Sequence, residues 1–247
     1  MDFNTNKPSH IFALLLLIFS IFFIFILPIA TFIIFYGTDY LNEINISEIS
    51  AIISQILVIS VFIIVPFIWY YLVNKLNIRG IFTRIKLVSE NIDKAFLWGI
   101  LGAVIIFFVI FVFEFALIKL GYNAEDLSNI PDLQALFSPT FLFLLIAIQP
   151  VGEEIFFRGF INEKIERFTS PIIAIVLTSV LFGIAHMSYG KLFPAIMPIL
   201  MGLVLGYIVY KTNNLYSAIF AHVAFNLTSL TLAYLGQQLL KEAALIL

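Results

Sequence analysis

Seven long apolar stretches, almost free of Asp, Glu, Lys and Arg, dominate this chain. They run from Ile11 to Tyr36, Ile49 to Val73, Ala95 to about Leu120, Leu133 to Gly152, Pro171 to Met187, Leu192 to Tyr210, and about Leu215 to Leu235. A helix needs about 20 apolar residues to cross the hydrocarbon core of a bilayer. Within lipid, the backbone has to satisfy its own hydrogen bonds. The expected fold is therefore all-α, a polytopic transmembrane helical bundle of about seven helices, or eight if a short C-terminal helix stands apart. Charged residues make up 11% of the 247, against roughly 25% in a soluble domain. No linker, low-complexity tract or repeat divides the sequence, so residues 1–247 read as a single membrane-embedded domain.

Orientation follows from positive charge, because Lys and Arg in short loops stay on the cytoplasmic side. With the N-terminus inside, Lys7, Lys75, Arg79, Arg84, Lys86, Lys94, Lys164, Arg167 and Lys211 all fall inside, and only Lys119, Lys191 and Lys241 fall outside. The outer loops carry Asp39, Glu43, Glu48, Glu125, Asp126 and Asp132. The expected location is the cell membrane, with lipid as the first partner. A net charge of −2 argues against a nucleic-acid partner, which needs clustered basic residues. The absence of cysteine excludes a thiolate nucleophile and a thiolate zinc site.

Ionisable side chains inside a span are costly unless paired or facing a wet cavity, and so mark candidate sites. Here they cluster: Gly152-Glu153-Glu154-Ile-Phe-Phe-Arg158-Gly159 at the end of the fourth stretch, Phe182-Gly-Ile-Ala-His186 in the fifth, His222-Val-Ala-Phe-Asn226 in the seventh. His10, by contrast, reads as an N-terminal flank residue. Glu154 and Arg158 lie one helical turn apart and can form an ion pair. Glu153 points about 100° away and is left unpaired by that contact. An unpaired carboxylate suits the acceptance and return of a proton. His222 and Asn226, also one turn apart, can both donate hydrogen bonds to one anionic oxygen.

With a turn at Thr169-Ser170-Pro171, where Pro suits the first residue of a helix, antiparallel pairing sets Glu153 opposite His186. At 1.5 Å per residue His222 lies about 12 Å into its helix and Glu153 about 24 Å from the turn. Either the fourth and fifth helices extend beyond the inner face, or the seventh begins deeper. Glu114, near the outer end of the third stretch, reads as reaching the interface and is assigned no function. Ser179-xxx-Gly183 and Gly202-xxx-Gly206 read as close-packing seams, and the many phenylalanines as lipid-facing bulk.

At these residues the sequence resembles the CAAX protease and bacteriocin-processing family (CPBP, or Abi), which includes the type II CAAX prenyl endopeptidase. The family pattern is two adjacent glutamates followed by arginine, then a phenylalanine four before a histidine, then a histidine four before asparagine or aspartate. All three boxes are present in order, within a stretch from about Thr140 to Leu235 that would be the catalytic core. The resemblance implies an intramembrane endopeptidase acting on a CAAX-type prenylated protein or another membrane peptide. In it Glu153 and His186 would activate water, and His222 and Asn226 would stabilise the oxyanion; Glu154 with Arg158 reads either as a structural ion pair holding the helices together or as a direct part of the chemistry, and both count as site residues because an uncompensated partner would disrupt the cluster. Family members have been described both as metalloproteases and as metal-independent glutamic proteases. No cofactor is expected; the alternative is zinc on Glu153, His186 and His222, although no His-Glu-x-x-His helix is present. Two other classes remain open: a proton-coupled transporter using Glu153 as relay, which would usually show paired halves, and a scaffold or immunity protein without turnover.

Overall fold

The computed structural model describes residues 3–35, 47–123, 127–187 and 193–246. Tyr36, Asp39, Glu43, Glu125, Asp126, Lys191 and Leu192, named above, lie outside them. Among the described residues the secondary structure is helical throughout. The first span is α1 (Pro8–Ile21), a π turn (Phe22–Ile26) and α2 (Leu27–Phe35). Then come α3 (Glu48–Leu72), the short α4 (Ile78–Arg84), α5 (Ile92–Lys119), the short α6 (Ile130–Leu136) and α7 (Pro139–Glu154). A second π turn (Ile155–Ile161) joins α7 to α8 (Asn162–Glu166), and α9 (Pro171–Ala185), α10 (Phe193–Thr212) and α11 (Leu215–Ile246) complete the chain.

Among the described residues six continuous helical spans, two of them running through a π turn, are long and apolar enough to cross a membrane, and the chain is a multi-pass membrane protein. The seventh apolar helix, α9, has 15 residues, about 22 Å at 1.5 Å per residue, short of a hydrocarbon core of about 30 Å. The fourth span starts later and ends later than its apolar stretch suggests. Leu133 belongs to the separate α6, and the chain re-enters the helix at Pro139, then continues as one span to Glu166. Proline at the first helical position loses no hydrogen bond there. At the other end α11 runs unbroken for 32 residues, so no separate helix follows Leu235 among the described residues.

The α8–α9 turn lies where the two helices' sequences place it, and the hairpin register is as expected. Thr178 Oγ1 donates to Asn162 Oδ1 at 3.3 Å, and the rings of Phe157 and Phe182 are 5.0 Å apart. The depth mismatch is met by a deep start to α11. Leu215 N donates to Lys86 O at 2.8 Å, and the buried Asn214 side chain donates to the carbonyls of Val88 and Glu90 at 3.0 Å each. The α4–α5 loop therefore covers the beginning of α11, while residues 167–170 stand exposed.

Small residues set the helix spacing. A Cβ on Gly183 would lie 2.3 Å from Ile199 Cγ1 and 2.5 Å from Ala195 O; one on Gly206 would lie 2.8 Å from Ile175 Cγ2. The seams between α9 and α10 thus work as read from sequence, and Gly99 and Gly102 let α5 approach closely as well, against Phe220 of α11 and Ile208 of α10 respectively. The phenylalanines divide: Phe108, Phe111 and Phe115 are exposed, but Phe62, Phe156, Phe157, Phe160 and Phe182 are buried. That corrects their reading as lipid-facing bulk, since the second group forms the aromatic core under the polar cluster. His10 is also buried, accepting at Nδ1 from Asn4 N at 3.0 Å, and is not a simple flank residue.

Candidate active site

The polar cluster forms where the C-terminal part of α7 and its π turn meet α9 and α11. The π turn places the Phe156, Phe157, Arg158 and Phe160 side chains inward together, all 3% exposed or less; single-turn π segments are frequent at functional sites. Arg158 Nη1 donates to Glu154 Oε1 at 3.0 Å, the pair expected from spacing. The guanidinium also sits 4.4 Å over the Phe182 ring, and its Nη2 lies where a Cβ on Gly202 would come within 3.0 Å. Glycine at 202 lets α10 close over the arginine.

Glu154 Oε1 has a second partner that spacing does not reveal. It accepts from His222 Nδ1 at 2.9 Å, across 68 positions of sequence. With Nδ1–H donated there, the ring turns Nε2 toward Glu153, whose Oε2 is 3.7 Å away. Phe182 sits edge-on to the same imidazole at 5.9 Å between centroids. Arg158, Glu154 and His222 thus form a buried chain of charge-assisted bonds, the strong kind, and each member would be costly to leave alone at such depth.

Glu153 differs from its expected state in one respect. Its Oε1 accepts from Gln149 Nε2 at 2.7 Å, so the carboxylate is oriented and not unpaired. The sequence signal for Gln149 is its place one helical turn before an intramembrane glutamate. His186, at the end of α9, is fixed by its own box: Nδ1 lies 2.8 Å from Phe182 O. A carbonyl only accepts, so Nδ1 carries the proton and Nε2 is left for the site.

A cavity of about 470 Å³ lies against this cluster, and Glu153, His186, His222, Asn226 and Gln149 all line it. Glu154 and Arg158 lie behind the wall. The Asn226 amide makes no hydrogen bond among the described residues. Glu114, read from sequence as an interface residue, also lines the cavity. The zinc alternative requires Glu153, His186 and His222 to converge; among the described residues no three His or acidic side chains are grouped to hold a metal ion.

Residues 135–228 match the family described as type II CAAX prenyl endopeptidase Rce1-like. The matched segment is the one that bears the three boxes. That segment contains all six candidate residues, from Glu153 to Asn226, and the resemblance carried by the boxes is borne out. The chain is 28% identical over 142 residues to "Putative membrane peptidase YdiL" of Bacillus subtilis (strain 168), covering 56% of each protein. It is 32% identical over 90 residues to "Uncharacterized protein YyaK" of the same organism, over 34% of this chain and 30% of YyaK. The chain therefore spans about half the length, or less, of these curated relatives. No solved structure matches it.

Proposed function

We propose that this chain is an intramembrane endopeptidase that hydrolyses a peptide bond with water activated by Glu153. One observation carries the reading: Glu153, His186, His222 and Asn226 line a single cavity, while the buried Glu154–Arg158 pair holds His222 from behind. The Rce1-like match over the same residues supports it.

In the proposed reaction a water bound between Glu153 and His186 Nε2 gives its proton to Glu153 and attacks the peptide carbonyl carbon. The negative charge that develops on the carbonyl oxygen is met by the Asn226 amide N–H and by His222 Nε2–H when the ring carries both protons. Fixed donors in a water-poor site are worth about 3–4 kcal/mol each to such a transition state. As the C–N bond breaks, Glu153 returns the proton to the departing amine. Gln149 holds the carboxylate in one orientation through both transfers.

The substrate is proposed to be a membrane peptide, prenylated or not, with residues 140–235 as the catalytic core. Metal plays no part in the proposed chemistry. The chain is proposed to sit in the cell membrane with its N-terminus cytoplasmic, on the strength of nine basic residues on one face. The test is incubation of purified protein with a panel of prenylated and unprenylated membrane peptides, wild type beside Glu153→Gln. Cleavage by the wild type alone is expected; equal cleavage by both would remove Glu153 from the reaction, and no cleavage of any peptide would count against the peptidase reading.

A further inference from the structure

Between Ala95 and Ile118, Glu114 is the one charged residue of α5. It is half-buried, and among the described residues its carboxylate forms no hydrogen bond or ion pair. A bare carboxylate at this depth is expensive, and intramembrane ionisable groups that face a cavity usually serve what enters it. Phe107, Ile110, Phe111 and Glu114 recur at helical spacing and all line the cavity that holds Glu153. The lining of this cavity is mostly apolar, with Ile110, Phe111, Met197 and Leu230 beside the polar Ser128, Asn129 and Ser229.

The distance along the cavity can be read from the helices. α5 and α11 run in the same direction: Gly99 abuts Phe220, and further along the Phe107 ring is 4.7 Å from Phe225, the neighbour of Asn226. Glu114 is seven residues beyond Phe107, about 10.5 Å at 1.5 Å per residue. An extended peptide advances about 3.3 Å per residue, so this span corresponds to about three residues of substrate.

We infer that Glu114 is a specificity-determining residue, binding a cationic side chain about three residues from the scissile bond, with apolar residues between. The inference rests on the peptidase reading and identifies the substrate class: membrane peptides with a Lys or Arg set off from the cleaved bond by an apolar pair. Glu114 takes no part in bond breaking; it supplies a charge-assisted contact that an uncharged side chain cannot make.

The test uses the full chain in detergent and peptides carrying a single Lys at positions two to five on either side of the cleaved bond, with norleucine controls. Wild type is expected to prefer Lys over norleucine about tenfold in kcat/KM at the third position on one side, as one charge-assisted bond allows. Glu114→Gln, nearly the same size, should bring that ratio close to one, and Glu114→Lys should favour a glutamate at the same position. A second readout separates this inference from the peptidase reading: the Kd of labelled Lys and norleucine peptides for Glu153→Gln and for Glu153→Gln/Glu114→Gln. If no peptide is cleaved the peptidase reading fails, while the Kd ratio still decides on Glu114. A Lys preference that is absent in wild type, or that survives Glu114→Gln in either readout, overturns the inference.

Discussion

Glu154→Gln probes the link between the buried ion pair and the site. The substitution keeps the side-chain volume and removes the charge that Arg158 Nη1 approaches at 3.0 Å and His222 Nδ1 at 2.9 Å. Arg158 is 3% exposed and Glu154 fully buried, so no water replaces the lost partner. Removing one member of such a pair costs about 3–5 kcal/mol, a factor of roughly 10² to 10⁴ in the folded-to-unfolded ratio. Glu154→Gln/Arg158→Met should restore most of that stability, because an apolar replacement of a buried pair is often neutral or better. Activity should not return, since His222 would still lack the carboxylate that turns Nε2 toward Glu153. The measurements are thermal unfolding in detergent and peptide cleavage, on wild type, both single variants and the double variant. A double variant that regains both stability and full activity would show that Glu154 does not position His222. A stable Glu154→Gln protein would show that the ion pair does not hold the helices.

Glu153→Gln should abolish cleavage with near-normal folded yield, read from rate and gel-filtration profile; retained activity would refute the water-activation role. Gln149→Leu removes the donor on Glu153 Oε1 and should lower kcat about tenfold, roughly one hydrogen bond to a charged group, while KM stays within about twofold; an unchanged kcat would mean that Glu153 needs no orienting partner. Gly183→Ala places a Cβ 2.5 Å from the Ala195 carbonyl, and overpacking of that kind costs about 1–3 kcal/mol; a Tm equal to wild type would show that α9 and α10 are not in contact there. Stripping metal with a strong chelator, checked by elemental analysis, should leave cleavage intact, whereas loss restored only by zinc would establish the metalloprotease alternative.

Much of the site was legible because it is local. Glu154 with Arg158 and Phe182 with His186 are one-turn neighbours, and helical geometry alone brings them together. The α8–α9 hairpin register could also be counted from a single proline-led turn, and Thr178 meets Asn162 accordingly. What spacing could not supply was helix rotation and distant contacts: Glu153 accepts from Gln149, Glu114 lines the cavity as well, and Phe156, Phe157 and Phe160 are buried and do not face lipid.

From sequence alone came the number and order of apolar helices, since charge-free stretches of this length have no stable place outside lipid, and the residues that bear the chemistry, since polar groups in such stretches are too costly to be incidental. Which face of each helix turns inward was decided only by tertiary structure. In water, alternating polarity marks the buried side of a helix; in lipid the surroundings are as apolar as the core, and that mark disappears. Close packing at Gly183, Gly202 and Gly206 then sets helix rotation. Gly99 and Gly102 do so for α5, and it is in that packed arrangement that Glu154 meets His222 and Glu114 lines the cavity of Glu153.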